Sequence, residues 1–268
     1  MPSILVAVMA TQDYNPLSRI PMGHLASASF LPPELKIALN DFGNRFWQFD
    51  AAAIAKMLSP SAALPSTLVA TAYSLLDQKL SDWPEDTDES LFHGPLVDSL
   101  NDFFDASNRA LDLSNPPVIE RDARWHAKLR FTQIIIGYRE DYGVSEGIGG
   151  MQDTDRGRKL TIPVELEEDW LPMVAYVIRA ARVLWSECPM RKFGLFIGFQ
   201  HTTLNLRFFI VHRGGMTASK PLSIVEEQGR KDILLVFLSV LTWRSEEEAG
   251  IPKFFRDGLA IDIPAGAC

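Results

Sequence analysis

Cysteine is nearly absent from this sequence. Only Cys188 and Cys268 carry thiols among 268 residues, too few for a disulfide framework or a four-ligand zinc site, and this usage points to a reducing compartment. Long apolar runs are missing too. The run Ile4–Ala10 has no basic residue before it, and Thr11-Gln12-Asp13 after it does not resemble a cleavage site, so a signal peptide is not expected. The other long run, Ile233–Trp243, is broken by Ser239 and Thr242 and falls well short of the roughly 20 residues that span a bilayer. The expectation is an intracellular protein, cytoplasmic or nuclear, without a membrane partner. Positive charge is also scarce: 26 Lys and Arg against 34 Asp and Glu leave a formal net charge of −8. That sign is wrong for a surface built to grip nucleic acid, which is therefore not an expected partner.

Apolar residues make up 47% and charged residues 22% of the chain, enough to fill one large core without a metal or disulfide staple. The acidity is local. Residues 77–122 hold twelve Asp or Glu against three Lys or Arg, while the remainder is close to neutral. Such a stretch forms either a solvated face or a docking surface for a basic partner.

Helical spacing runs from Pro33 to Ser59 through Leu35, Leu39, Phe42, Phe46, Phe49, Ile54 and Met57. A second helix, capped by Ser66, carries Leu68, Val69, Ala72, Tyr73, Leu76 and Leu80 on one stripe. A third starts at Pro95 and ends at Asn115-Pro116-Pro117. Thereafter strands are expected at Phe131–Tyr138 and Lys159–Glu165, the latter at a sheet edge because of Pro163, with a Gly-rich loop over Gly143–Asp155 between them. Asp169 is expected to cap a strong helix through Trp170, Val174, Val177, Ile178, Ala181, Leu184 and Trp185. Phe193–Gln200 and Leu204–His212 form a hairpin turned by His201-Thr202-Thr203, and Arg230–Trp243 is a last helix. The order implies an α+β fold: amino-terminal helices, then a mixed, mostly antiparallel sheet with packed helices. We divide the chain into an amino-terminal helical or partly ordered extension, residues 1–60, and a single α+β domain, residues 61–268.

Catalytic motifs are incomplete. Asp41-Phe42-Gly43 spells a kinase magnesium motif without a Gly-rich loop, strand lysine or catalytic loop before it, and His212-Arg213-Gly214 lacks the aspartate of a kinase catalytic loop. Gly143-Val144-Ser145-Glu146-Gly147 fits a hydrolase nucleophile pattern but lacks a strand running in and a helix running out. The five histidines show no metal-binding spacing. Glu165-Leu166-Glu167 is more telling, because on a strand both carboxylates point to one face. Together with Asp155 they are the candidate metal ligands, and Arg156, Arg158 and Lys159 supply cations for a phosphate, the inventory of a divalent-metal nuclease or phosphodiesterase. The plainer alternative is that these acids meet the amino-terminal dipole of the helix after Asp169. No catalytic residue and no cofactor is expected.

Several segments carry a resemblance. Arg156-Gly157-Arg158-Lys159-Leu160, Pro163-Val164-Glu165-Leu166, Phe199-Gln200-His201-Thr202-Thr203-Leu204, His212-Arg213-Gly214-Gly215 and Leu241-Thr242-Trp243, with Leu91 to Asn101 upstream, resemble the region preceding the kinase domain in basidiomycete fungal-type protein kinases. The likeness covers roughly residues 90–258 and includes none of the kinase machinery. It implies a kinase-associated module that binds and regulates a protein kinase domain or another protein. It also implies a restriction-endonuclease-like core, in which an Asp at one strand end and an E-x-K on the next form the site. Here Glu167 stands where the lysine belongs, so the implied site is degenerate.

Overall fold

The computed structural model describes residues 45–59, 64–76, 83–86, 88–137, 144–154, 157–187 and 189–251. Eight strands are β1 (Phe46–Phe49), β2 (Arg130–Gly137), β3 (Val144–Thr154), β4 (Gly157–Glu167), β5 (Phe193–Gln200), β6 (Asn205–His212), β7 (Gly215–Ser219) and β8 (Leu222–Ser223). Among the described residues the α-helices are α1 (Ala51–Leu58), α2 (Ser66–Leu75), α3 (His93–Leu113), α4 (Trp170–Glu187) and α5 (Glu227–Leu241). Seven strands lie in the order β1-β7-β6-β5-β4-β3-β2, and the short β8 pairs with β6. Among the described strands only β1–β7 and β4–β5 run parallel. The fold is thus α+β: helices early in the described chain, then a mixed, mostly antiparallel sheet with packed helices.

Period-two alternation divides the interior. On β5 and β6, Leu195, Ile197, Phe199, Leu206, Phe208 and Ile210 face the larger core, shared with α1, α2, α3 and α5. Phe196, Phe209 and Val211 point the other way, onto Met173, Val174, Val177 and Ile178 of α4. On β4, Ile162, Val164 and Leu166 belong to the larger core, which leaves Glu165 and Glu167 on the α4 face. Close approach of α4 requires the missing side chain of Gly198, where a Cβ would lie 2.3 Å from Met173 Sδ.

Two segments differ from the expected pattern. Phe46–Phe49 is a strand rather than the middle of a helix; residues 33–44 lie outside the described part of the chain. The spacing of Phe46 and Phe49 imitates a helix, but the two rings belong to opposite faces, Phe46 against the smaller core and Phe49 against the larger. Pairing with β7, continued by Met216 N donating to Arg45 O and Lys220 N donating to Phe49 O, decides the local conformation. Asp50 then caps α1, its Oδ1 accepting from Ala53 N at 2.8 Å. Residues 46–58 fall within the stretch 1–60 assigned to an amino-terminal extension, and here they pair with β7 and pack on α5.

Val144–Thr154 is an eleven-residue strand where a Gly-rich loop was expected. Its glycines clear room for its neighbours: a Cβ at Gly149 would meet Leu160 Cδ1 at 2.3 Å and Ile134 Cδ1 at 3.1 Å. Pairing with β2 on one side and β4 on the other outweighs low strand propensity. Consequently β4 is not an edge strand. It pairs with β3 and, from Val164 onward, with β5; Pro163 sits just before that parallel ladder begins, where its missing N–H costs least. Ser66 is the first residue of α2 rather than its cap, a place taken by Pro65.

Candidate functional site: an acidic cleft at the ends of β4 and β5

Parallel strands β4 and β5 both end beside the start of α4, the end of a sheet at which open α/β folds commonly hold ligands. The turn after β5 is laced to the end of β4. His201 N donates to Glu167 O at 3.3 Å, while Gln200 Nε2 and Thr202 Oγ1 each donate to Glu168 O at 2.9 Å. These bonds fix the chain entering α4 and hold a cleft of about 510 Å³ open between the strand ends and the Glu89–Phe92 3₁₀ turn. Asp88, Glu89, Glu167, Glu168, Asp169, Pro172 and His201 line it. Among the described residues its lining holds five carboxylates and no Lys or Arg.

The electrostatics follow from that crowding. Burial, then the like charge of Glu89, pushes Glu165 up to about 7, and Arg179 of α4 offsets only part of the effect. Burial and the charges of Glu89, Glu165, Glu168 and Asp169 push Glu167 up to about 8. The helix dipole at Asp169 favours acids here, but the site retains more negative charge than it neutralises. Tyr176, next to these carboxylates on α4, is pushed above the ordinary phenol value by burial and by Glu167. Asp88 is held below its usual range by hydrogen bonds from Ser90 Oγ and N at 2.8 and 3.0 Å, so it is charged across the neutral range.

His201 stands apart in this setting. It is only 3% exposed, its ring lies 4.9 Å from that of Phe92, and among the described residues neither ring nitrogen has a hydrogen-bond partner. A buried imidazole without partners is costly, which marks it as prepared for something not supplied by the fold itself.

Of the three candidate metal ligands, Glu165 and Glu167 share one face of β4 as their spacing requires. Asp155 lies outside the described residues. Among the described residues no three His, Cys, Asp or Glu side chains are arranged to hold a metal ion.

The weaker motifs acquire structural roles. Ser145 pairs with Ile136 inside β3, with β4 and not a helix following, so the nucleophile-elbow geometry is absent. His212 stacks on Trp47 with centroids 6.3 Å apart and accepts from Gly214 N at 3.0 Å, and burial lowers its pKa. His126 is buried, its Nδ1 3.0 Å from Gln152 Oε1, and desolvation lowers it to about 3. Asp41-Phe42-Gly43 lies outside the described residues.

Sequence reasoning found Glu165 and Glu167 but missed Glu89, Glu168, Asp169 and His201 as their neighbours. The signal that joins them is the parallel pairing of β4 with β5, which no local pattern announces. Among the described residues no helix is long and apolar enough to cross a membrane. Comparison of the chain with protein-family models, with curated proteins and with solved structures finds no match.

Proposed function

We propose that this chain is a non-catalytic binding and regulatory module, of the kind resembled by the region before the kinase domain in fungal-type protein kinases, and that its acidic cleft docks a basic segment of a partner protein such as a kinase domain. The observation that carries this reading is the lining of the cleft: five carboxylates and no basic side chain among the described residues, with Glu167 of the lining and Glu165 beside it pushed toward protonation by burial and then by like charge. Asp88 and Glu89 of the cleft belong to the acidic stretch 77–122. A cationic partner relieves the repulsion and gains affinity from it.

A second reading, a divalent-metal nuclease or phosphodiesterase with a degenerate restriction-endonuclease-like core, draws on the shared face of Glu165 and Glu167 within a sheet covered by helices on both sides. It is the weaker one. Glu167 replaces the lysine that would steady an attacking water, and a cleft of this sign repels a phosphodiester.

The test is fluorescence anisotropy of a lysine- and arginine-rich peptide against the full chain. Binding is expected to weaken at least about tenfold between roughly 50 and 300 mM salt, as screening shortens the reach of the charges. The double reversal Glu89→Lys with Glu168→Lys, both exposed, weakens it to a similar degree. Absent binding, or binding indifferent to charge reversal, contradicts the proposal. Magnesium- or manganese-dependent plasmid cleavage lost in Glu165→Gln puts the nuclease reading in its place.

A further inference from the structure

We infer that the cleft accepts a single arginine side chain of that basic partner, the guanidinium held between the Glu167 carboxylate and the His201 ring with its methylene stem against Pro172. The inference rests on the proposed docking function and specifies which group enters. Two independent observations meet here: the carboxylate-lined cleft and an imidazole at its wall that is 3% exposed with both nitrogens unpartnered among the described residues.

The choice among cations follows from shape and chemistry. A divalent ion needs several ligands within about 2.0–2.6 Å, and among the described residues no such trio converges. The volume, about 510 Å³, accommodates a side chain rather than a bare ion. An ammonium fills the charge deficit but presents a compact, strongly hydrated point. A guanidinium is planar, sheds water more readily, and offers five donors in a fixed fork, so it can serve a carboxylate with two and spare another for a ring nitrogen. The imidazole matters for that reason. A neutral ring carries one acceptor nitrogen, and this one has no internal donor among the described residues. Glu89, Glu168 and Asp169 surround the position and supply long-range attraction, while Arg179 on α4 is engaged with the buried side of the cluster through Glu165.

The experiment compares three peptides on the full-length chain by isothermal titration: one with a single arginine among lysines, the same peptide with lysine at that position, and the same with citrulline, a neutral guanidinium analogue. The arginine peptide is expected to bind at least about tenfold tighter than the citrulline peptide and several-fold tighter than the lysine peptide. His201→Phe and Glu167→Gln, each read separately so that a folding defect in one leaves the other informative, should abolish the preference for arginine over lysine, and Glu167→Gln should also weaken all three peptides because it removes one of the cleft's carboxylates. Equal binding of all three peptides, with the charge-reversal effect intact, overturns the arginine pocket but not the docking function. No binding by any of them overturns both. Saturable manganese or zinc binding that Glu167→Gln removes, without an arginine preference, assigns the cleft to a metal and also overturns the inference.

Discussion

Phe237→Ala is expected to remove about 3–5 kcal/mol of folding stability, a large share of the roughly 5–15 kcal/mol a domain possesses. Phe237 of α5 is fully buried, and its ring meets those of Phe104, Phe131 and Phe208 at 5.8, 6.0 and 5.5 Å between centroids. Edge-on contacts at 84° and 90° to Phe104 and Phe208 add geometry to area. These three neighbours come from α3, β2 and β6, so truncation opens a void where three elements converge. None can collapse into the gap without leaving its own backbone position, which is why the upper part of the range applies. Urea unfolding followed by tryptophan fluorescence measures it. Leu113→Ala, at a side chain 66% exposed, is the control and should stay within about 0.5 kcal/mol of the parent. A loss below about 1 kcal/mol at Phe237 contradicts the packing described.

The second large effect is electrostatic and depends on pH. Glu165 and Glu167 titrate near 7 and 8 in the folded protein, against an ordinary 4.5. Between about pH 4.5 and 8 the folded state therefore holds protons that the unfolded chain has released, and these two groups make stability fall as pH rises through that window. Below it both states are protonated and the penalty vanishes; above it the penalty is complete. Glu165→Gln and Glu167→Gln keep shape and discard the charge. Each should raise the thermal midpoint at pH 8.5 and leave it nearly unchanged, relative to the parent, at pH 4.5. The gain is on the order of 1–3 kcal/mol, with Glu167 toward the lower end because solvent screens its exposed part. Equal effects at both pH values would mean that the glutamates act through packing or hydrogen bonds instead of charge.

That these residues destabilise the protein bears on function. A carboxylate pair that weakens its own fold is hard to explain as scaffolding, since α4 packs on the neighbouring strands through the apolar side chains of Met173, Val177, Phe196 and Phe209. Sites that bind charged partners commonly carry such unneutralised charge until the partner arrives.

Much of the architecture was legible because it obeys local rules. The β5–β6 hairpin announced itself by two apolar runs around His201-Thr202-Thr203, and α3, α4 and α5 by stripes of helical period bounded by turn residues. Two strands were hidden for different reasons. In β1 the three-residue interval between Phe46 and Phe49 imitates a helix, although the rings serve opposite faces of the sheet. In β3, glycine reads as a loop, although at Gly149 it makes space for Leu160 and Ile134 from the flanking strands. The partner of β1 lies some 170 residues on, information that a local window lacks, whereas β3 pairs with its neighbours in sequence and is hidden only by the low strand propensity of its glycines. The site divides in the same way. Glu165 and Glu167 emerge from strand periodicity alone, whereas Glu89, more than seventy residues earlier, and His201, after the next strand, reach them only through tertiary pairing.

The central claim is that negative charge is concentrated in this cleft and awaits a cation. Carbon-13 NMR titration of the glutamate side-chain carboxyls in the full chain, assigned through Glu165→Gln and Glu167→Gln, tests it most directly. The account predicts midpoints near 7 for Glu165 and near 8 for Glu167 in the free protein, both moving to lower pH when the arginine peptide saturates the cleft. Midpoints near the ordinary 4.5, unmoved by the peptide, would contradict it.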